Sequence, residues 1–170
     1  MRDLIGEERL HAALRDYLAE GGNVGLPYAT TVDLMRHLTA ATPDSLAYAI
    51  TDYFETITLW DVKTDSVTAT KLPDGDYRVT VVGTAGKLRA DSHGAETPVA
   101  MGDYIDVEVL AAPKAGARIG EPLAKRKVKV TGPTVRAEFT VKPLPARGGI
   151  DPYNLLIDRN PGDNSRDVRN

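Results

Sequence analysis

Apolar residues near the N-terminus recur with a helical period. Leu10, Ala13, Leu14, Tyr17 and Leu18 follow the i, i+3, i+4, i+7, i+8 spacing, while Arg9, Arg15, Asp16 and Glu20 fall mostly on the other side. That pattern predicts an amphipathic helix with one face turned inward. Gly21-Gly22 then supplies a stop, since glycine enters the left-handed conformation that ends helices. A second helix is expected from Thr30, where Thr30 and Asp33 have capping-box spacing and Val32, Leu34, Met35 and Leu38 supply apolar positions. A third start is marked by Thr42 as N-cap, Pro43 at the first helical position and Asp44 beside the positive end of the helix dipole. Leu46, Ala49, Ile50, Tyr53 and Phe54 continue it at helical spacing.

Around Thr56 the period changes to two. Ile57–Val62 is β-branched and aromatic, Ser66–Leu72 is a second candidate strand, and Pro73-Asp74-Gly75 is a turn. Strands are then predicted over Asp76–Gly83, Gly86–Ala90, Asp103–Ala111, Ala124–Thr131 and Thr134–Lys142. In the last, Val135, Ala137, Phe139 and Val141 face one way and Arg136, Glu138, Thr140 and Lys142 the other. The expected fold is therefore α+β: a helical segment of about three short helices over residues 1–55, then an antiparallel immunoglobulin-like β-sandwich over 56–142. The prolines and glycines of Pro143–Gly149 rule out a central strand, so 143–170 reads as an extended C-terminal tail, frayed from Gly162 onward.

Composition narrows the chemistry. The 170 residues carry 21 Lys+Arg against 24 Asp+Glu, a net charge of −3, which argues against nucleic acid as a partner. The chain has no cysteine, which removes disulfides, thiol catalysis and Cys-ligated metals. No apolar run reaches the roughly 18 residues that a membrane-spanning helix needs. The first residues, rich in acids, are not a signal peptide.

Motifs of known chemistry fail at the residue level. His11, His37 and His93 are far apart and none belongs to a His-Glu-x-x-His helix, so they read as ordinary surface histidines. Gly83-Thr84-Ala85-Gly86-Lys87-Leu88 has too short a glycine spacing for a phosphate loop, and Leu88 stands where a magnesium-holding hydroxyl belongs; a turn between strands is expected. Lys125, Lys127 and Lys129, beside Arg126, form a basic strand whose alternation predicts a solvated face. Asp158, Asn160, Asp163 and Asn164 are oxygen donors of the kind calcium takes, in a spacing that matches no EF-hand loop. Asp103 and Asp106 could serve as carboxylates of an independent enzyme, although no nucleophile or base accompanies them. No catalytic, cofactor-binding or metal-ligating residue is therefore assigned.

Two segments carry a resemblance. Leu4–Leu10, Ala13–Leu18 and Pro27–Leu34 resemble the helical stretch that follows the zinc motif in M1-family zinc aminopeptidases. The tail Gly149-Ile150-Asp151-Pro152-Tyr153-Asn154-Leu155-Leu156-Ile157-Asp158-Arg159-Asn160-Pro161-Gly162-Asp163-Asn164 closely resembles the C-terminal end of bacterial membrane proteins that fuse an ABC-transporter permease-like region to an M1-type peptidase domain. In that family zinc, held by His-Glu-x-x-His and a distant glutamate, activates water to cleave N-terminal peptide bonds. This chain contains neither those ligands nor the Gly-x-Met-Glu-Asn substrate motif, so no family residue is carried over.

The resemblance implies a non-catalytic C-terminal part of a metallopeptidase region, with zinc in the parent catalytic domain and none in this chain. Its partners would be the upstream peptidase and transmembrane parts of the same polypeptide, a peptide substrate being bound by the parent. The location would be the soluble portion of a bacterial inner-membrane protein, on an unassigned side. In the tail, Tyr153, Leu155, Leu156 and Ile157 are expected to pack back on the sandwich, and Asp158 and Arg159 to pair locally. The rival reading is a stand-alone immunoglobulin-like protein-binding module. An exposed helical face around Leu10, Leu14 and Leu18 would mark a severed interface or self-association.

Overall fold

The computed structural model describes residues 1–21 and 28–169. Gly22 of the expected helix stop, Pro27 of the peptidase-like stretch and Asn170 lie outside the described residues. The chain divides into two compact units, Met1–Ile57 and Thr58–Asn170.

In the first unit, a four-residue helix α1 (Arg2–Ile5) ends at Gly6, whose φ of 88° only glycine adopts without strain. Helix α2 (Glu7–Gly21) follows, and then α3 (Thr31–Ala41). The capping box that opens α3 is complete: Asp33 Oδ2 accepts from Thr30 N at 2.8 Å, and Thr30 Oγ1 accepts from Asp33 N at 3.4 Å. Aspartate's short arm thus closes a box that glutamate more often closes.

The third helix is not the single amphipathic element expected. Asp44–Leu46 is a 3-10 turn, α4 covers only Tyr48–Ile50, and Thr51–Glu55 is a π turn in which Thr51 O accepts from Thr56 N. Thr42 is no N-cap: it ends α3, and its buried hydroxyl donates backward to Leu38 O at 2.7 Å. With the hydroxyl turned back onto α3, the following turn has no side-chain cap. Buried Ala13, Leu38 and Ile50 form a small core on which Met1, Leu10, Leu34, Met35 and Ala41 pack. Leu18 and Val32, placed on apolar faces by their spacing, stand 60% and 77% exposed.

Among the described residues eight strands follow: β1 (Ile57–Lys71), β2 (Tyr77–Ala90), β3 (Glu96–Pro98), β4 (Asp103–Leu110), β5 (Pro122–Val130), β6 (Thr134–Val141), β7 (Arg147–Ile150) and β8 (Ser165–Asp167). One four-stranded sheet runs β1-β2-β3, with β6 also paired to β2; the other runs β5-β4-β7-β8. The arrangement is sandwich-like and the fold α+β, as the pattern predicts.

Two pairs of expected short strands are each one long strand. In β1 the buried positions are 58, 60, 62 and 64 and then 67, so the alternation slips by one residue and imitates a break. In β2, Val79, Val81, Gly83, Ala85 and Lys87 form one uninterrupted buried stripe, and the turn expected at Gly83–Gly86 is strand. Gly83 is there for proximity: a Cβ on it would lie 2.0 Å from Lys63 O and 2.6 Å from Ile150 Cδ1. The Pro73–Gly75 turn forms as predicted, with Gly75 at φ 93° and its N–H donating to Leu72 O. Strand β6 also matches its pattern, burying Val135, Ala137, Phe139 and Val141.

The tail departs most from expectation. Residues 147–150 pair with β4 and 165–167 pair with β7, so the segment completes a sheet where extension and fraying were expected. Arg169 extends the hold: its N–H donates to Val67 O, and its carbonyl accepts from Ala69 N. Gly148 and Gly149 are buried in close contact with Val67 and Asn164, and the bare backbone of the Gly-Gly pair is what lets it enter the sheet.

Candidate functional site

The three histidines do not converge. His11 sits 3.9 Å from Glu7 on α2, and His93 lies exposed in the loop where Asp91 Oδ1 accepts from His93 N and Ala95 N. His37 Nε2 is 2.8 Å from Glu20 Oε2, with Tyr17 edge-on at 6.1 Å between ring centroids. Arg36 adds a 2.7 Å contact to the same glutamate, and these hydrogen bonds hold Glu20 below the usual carboxylate range. The cluster fastens the end of α2 to α3. A concavity of about 570 Å³ lies beside it, lined by Arg9, Ala13, Asp16, His37 and Thr42 among others, with charges of both signs.

The densest chemistry in the second unit belongs to β4, whose residues are buried on both faces except for a half-buried Tyr104. Alternation sends Asp103 to one face and Asp106 to the other, so the two candidate carboxylates are not brought together. On the first face Asp103 shares a stripe with Ile105, Val107 and Val109. Lys87 Nζ lies 2.9 Å from its Oδ2 and 3.2 Å from its Oδ1, with side-chain exposures of only 6% and 3%. Trp60 Nε1 donates to Oδ1 at 3.4 Å, and Gly102 N donates to Oδ2 at 3.0 Å.

On the second face the basic strand finds its purpose. Opposite residues pair as Asp106 with Lys127 and Glu108 with Lys125 in the β4–β5 register. Lys127 Nζ contacts both Asp106 oxygens at 2.9 and 3.1 Å, and Lys125 Nζ reaches Asp106 at 2.8 Å and Glu108 at 3.3 Å. On this face Lys129 stands 5.8 Å over the Tyr104 ring, whereas Arg126, opposite Val107, belongs to the other face and stands 5.3 Å over Phe139. Lys125 and Lys127 therefore neutralise buried acids, where a simply solvated face was expected. The alternation of Asp106 and Glu108 with apolar neighbours held the missing signal, because charged cross-strand pairs need an acidic row opposite a basic one.

Beside this face the loop after β7 is pinned by polar atoms. Asp151 (φ 49°) accepts from Leu155 N at 2.9 Å and Leu156 N at 3.0 Å. Burial raises its pKa to about 6, with the charges of Asp106 and Asp158 adding and the two backbone donors opposing. Buried Asn164 donates to Asp151 O, and the Tyr153 hydroxyl donates to Gly120 O. Desolvation, with Glu108 and Glu121 nearby, pushes the Tyr153 hydroxyl pKa up. Asp158 spends its oxygens on Val62 N and Asn160 N, and Arg159 pairs with Glu96; the expected Asp158–Arg159 pair does not form. Leu155 and Ile157 point to solvent at 54% and 66% exposure, so the backbone docks where apolar packing was expected. Among the described residues Asp158 and Asp163 belong to no group of three or more acidic or histidine side chains that could hold a cation.

Among the described residues no group of three or more His, Asp or Glu is arranged to hold a metal, and no helix is long and apolar enough to cross a membrane. The buried carboxylates of β4 face amines. Comparison with protein families, with curated proteins and with solved structures yields no match to this chain.

Proposed function

We propose that the chain is the non-catalytic C-terminal part of an M1-like metallopeptidase region in a bacterial ABC-permease-type membrane protein, and that it buttresses the catalytic part. The observation that carries this reading is the helical unit's imbalance. Its core cluster has three buried side chains, Ala13, Leu38 and Ile50, while Leu18, Tyr28, Val32 and Phe54 are exposed. Large apolar side chains left in water on a unit of this size suit a surface that further protein covers. The two resembling segments support the same reading, since they occupy this unit and the loop that closes the sheet. Zinc belongs, in this proposal, to the upstream part, and no step of the peptidase reaction runs through these residues.

We further infer that the sandwich is of immunoglobulin-like type, which its alternation of strands between two four-stranded sheets supports. A stand-alone binding module remains the rival, favoured by the polar-pinned loop that presents Leu155 and Ile157. The reading frame separates the two. The proposal expects upstream codons for His-Glu-x-x-His and transmembrane spans, and a purified 170-residue chain that neither hydrolyses aminoacyl substrates nor binds zinc stoichiometrically. Zinc-dependent aminopeptidase activity in the chain alone would overturn it.

A further inference from the structure

The interior stripes of a sandwich are apolar by default, yet two of them end in opposite charges that meet. Lys87 continues Val79-Val81-Gly83-Ala85 on β2, and Asp103 begins Ile105-Val107-Val109 on β4. The two strands belong to different sheets. We propose that Lys87 and Asp103 are a modification site, condensing into a side-chain amide that ties one sheet to the other.

Four observations converge on this bond. The amine nitrogen lies within 3.2 Å of both oxygens of a single carboxylate, so the reacting groups are already held together. Both side chains are almost wholly removed from water, and a dry interior favours a reaction that expels water. Two donors, the Trp60 indole N–H and the Gly102 amide N–H, are aimed at the two carboxylate oxygens, where negative charge grows as the carbonyl carbon is attacked. Finally, an ion pair at this depth bears the desolvation of two charges, which a neutral amide removes.

The step balances within the pair. The ammonium passes one proton to the carboxylate, giving a neutral amine and a carboxylic acid. The Lys87 Nζ lone pair attacks Asp103 Cγ, a second nitrogen proton moves to a carboxyl oxygen, and the C–O bond breaks to release that oxygen as water. One C–N bond forms, and nothing is oxidised or reduced.

The test is the mass of the full chain measured under denaturing conditions, followed by a proteolytic map. The expected result is a chain one water lighter than its sequence, with a branched peptide joining the Lys87 and Asp103 segments. A full-weight chain overturns the proposal. So does a water loss without the branched peptide, as a succinimide at Asp74-Gly75 would give. Lys87→Met, which keeps an unbranched side chain and removes the amine, is expected to restore the full mass; a water still missing from it would also overturn the assignment. Because mass and map are read on the unfolded natural chain, poor folding of the variant does not blur the answer.

Discussion

The helical unit and the strand unit use similar residue types to different ends. In the helical unit, definition comes from helix termini: the Thr30–Asp33 box, the hydroxyl of Thr42 on Leu38, and Glu20 held by Arg36 and His37. The exposed contacts among these, the Thr30–Asp33 box and the Glu20–Arg36 pair, each contribute little. In the strand unit, fully buried Trp60, Val62, Val79, Val81, Ile105, Val107, Val109 and Ile150 form the interior. There Lys87, Asp103, Asp106 and Glu108 are inside as well, where a lost partner costs more than the pair contributes when intact. The difference teaches where each unit is vulnerable: the first at its caps and uncovered faces, the second in its interior.

The sharpest way to break that contrast is Trp60→Ala, expected to cost about 3–5 kcal/mol by cavity formation and loss of the indole donor. Denaturant titration of the strand unit checks it, and a cost below about 1 kcal/mol would mean the interior is not what holds these sheets. Next comes acid dependence. Asp151 titrates at about 6 in the fold against an ordinary value near 4, so the folded chain binds this proton more tightly than the unfolded one. Its contribution is fully present below the ordinary value and is lost as pH rises through about 6, a change on the order of 3 kcal/mol. Unfolding midpoints recorded across that window should flatten in Asp151→Asn; an unchanged slope would assign the dependence elsewhere.

Thr30→Ala, at the helical unit's best cap, is expected to cost about 1 kcal/mol and to lower helical circular dichroism before any strand signal changes. Smallest of all, Val32→Ser should shift stability by less than about 0.5 kcal/mol, because the side chain already stands in water. A larger loss would show that something covers this face in solution and would bring the two units closer in character.

The fold was legible in the sequence wherever one residue decides one geometry. The α3 capping box, the Pro73–Gly75 turn and the alternation of β6 each rest on local chemistry and form as read. Misreadings arose where distant residues decide. Gly83 looks like a turn until Lys63 and Ile150 come close enough to need it bare. Thr42 looks like a cap until Leu38 O takes its hydroxyl. Strand β1 looks like two strands because its buried phase slips after Thr64. For the charged residues, the basic row was visible but its acidic partners were not. Pairing Lys125 and Lys127 with Glu108 and Asp106 requires the β4–β5 register, which no single segment encodes. Lys87 was hidden for the same reason: on a short separate strand over Gly86–Ala90 it is an ordinary lysine, and only an unbroken β2 carries it inside.

Strand β8 and the Arg169 backbone bonds have a consequence for how the chain is made. Residues 165–169 supply the edge beside β7 and tether β1 through Val67 and Ala69, over a separation of about a hundred positions. On the ribosome, β1 is finished long before residues 165–169 leave the exit tunnel. The strand unit must therefore wait, with β1 and β7 incompletely partnered, until residues 165–169 have emerged. A chain that lacks residues 165–169 would consequently hold a nascent sheet with no closing edge, exposed to quality control for as long as it persists.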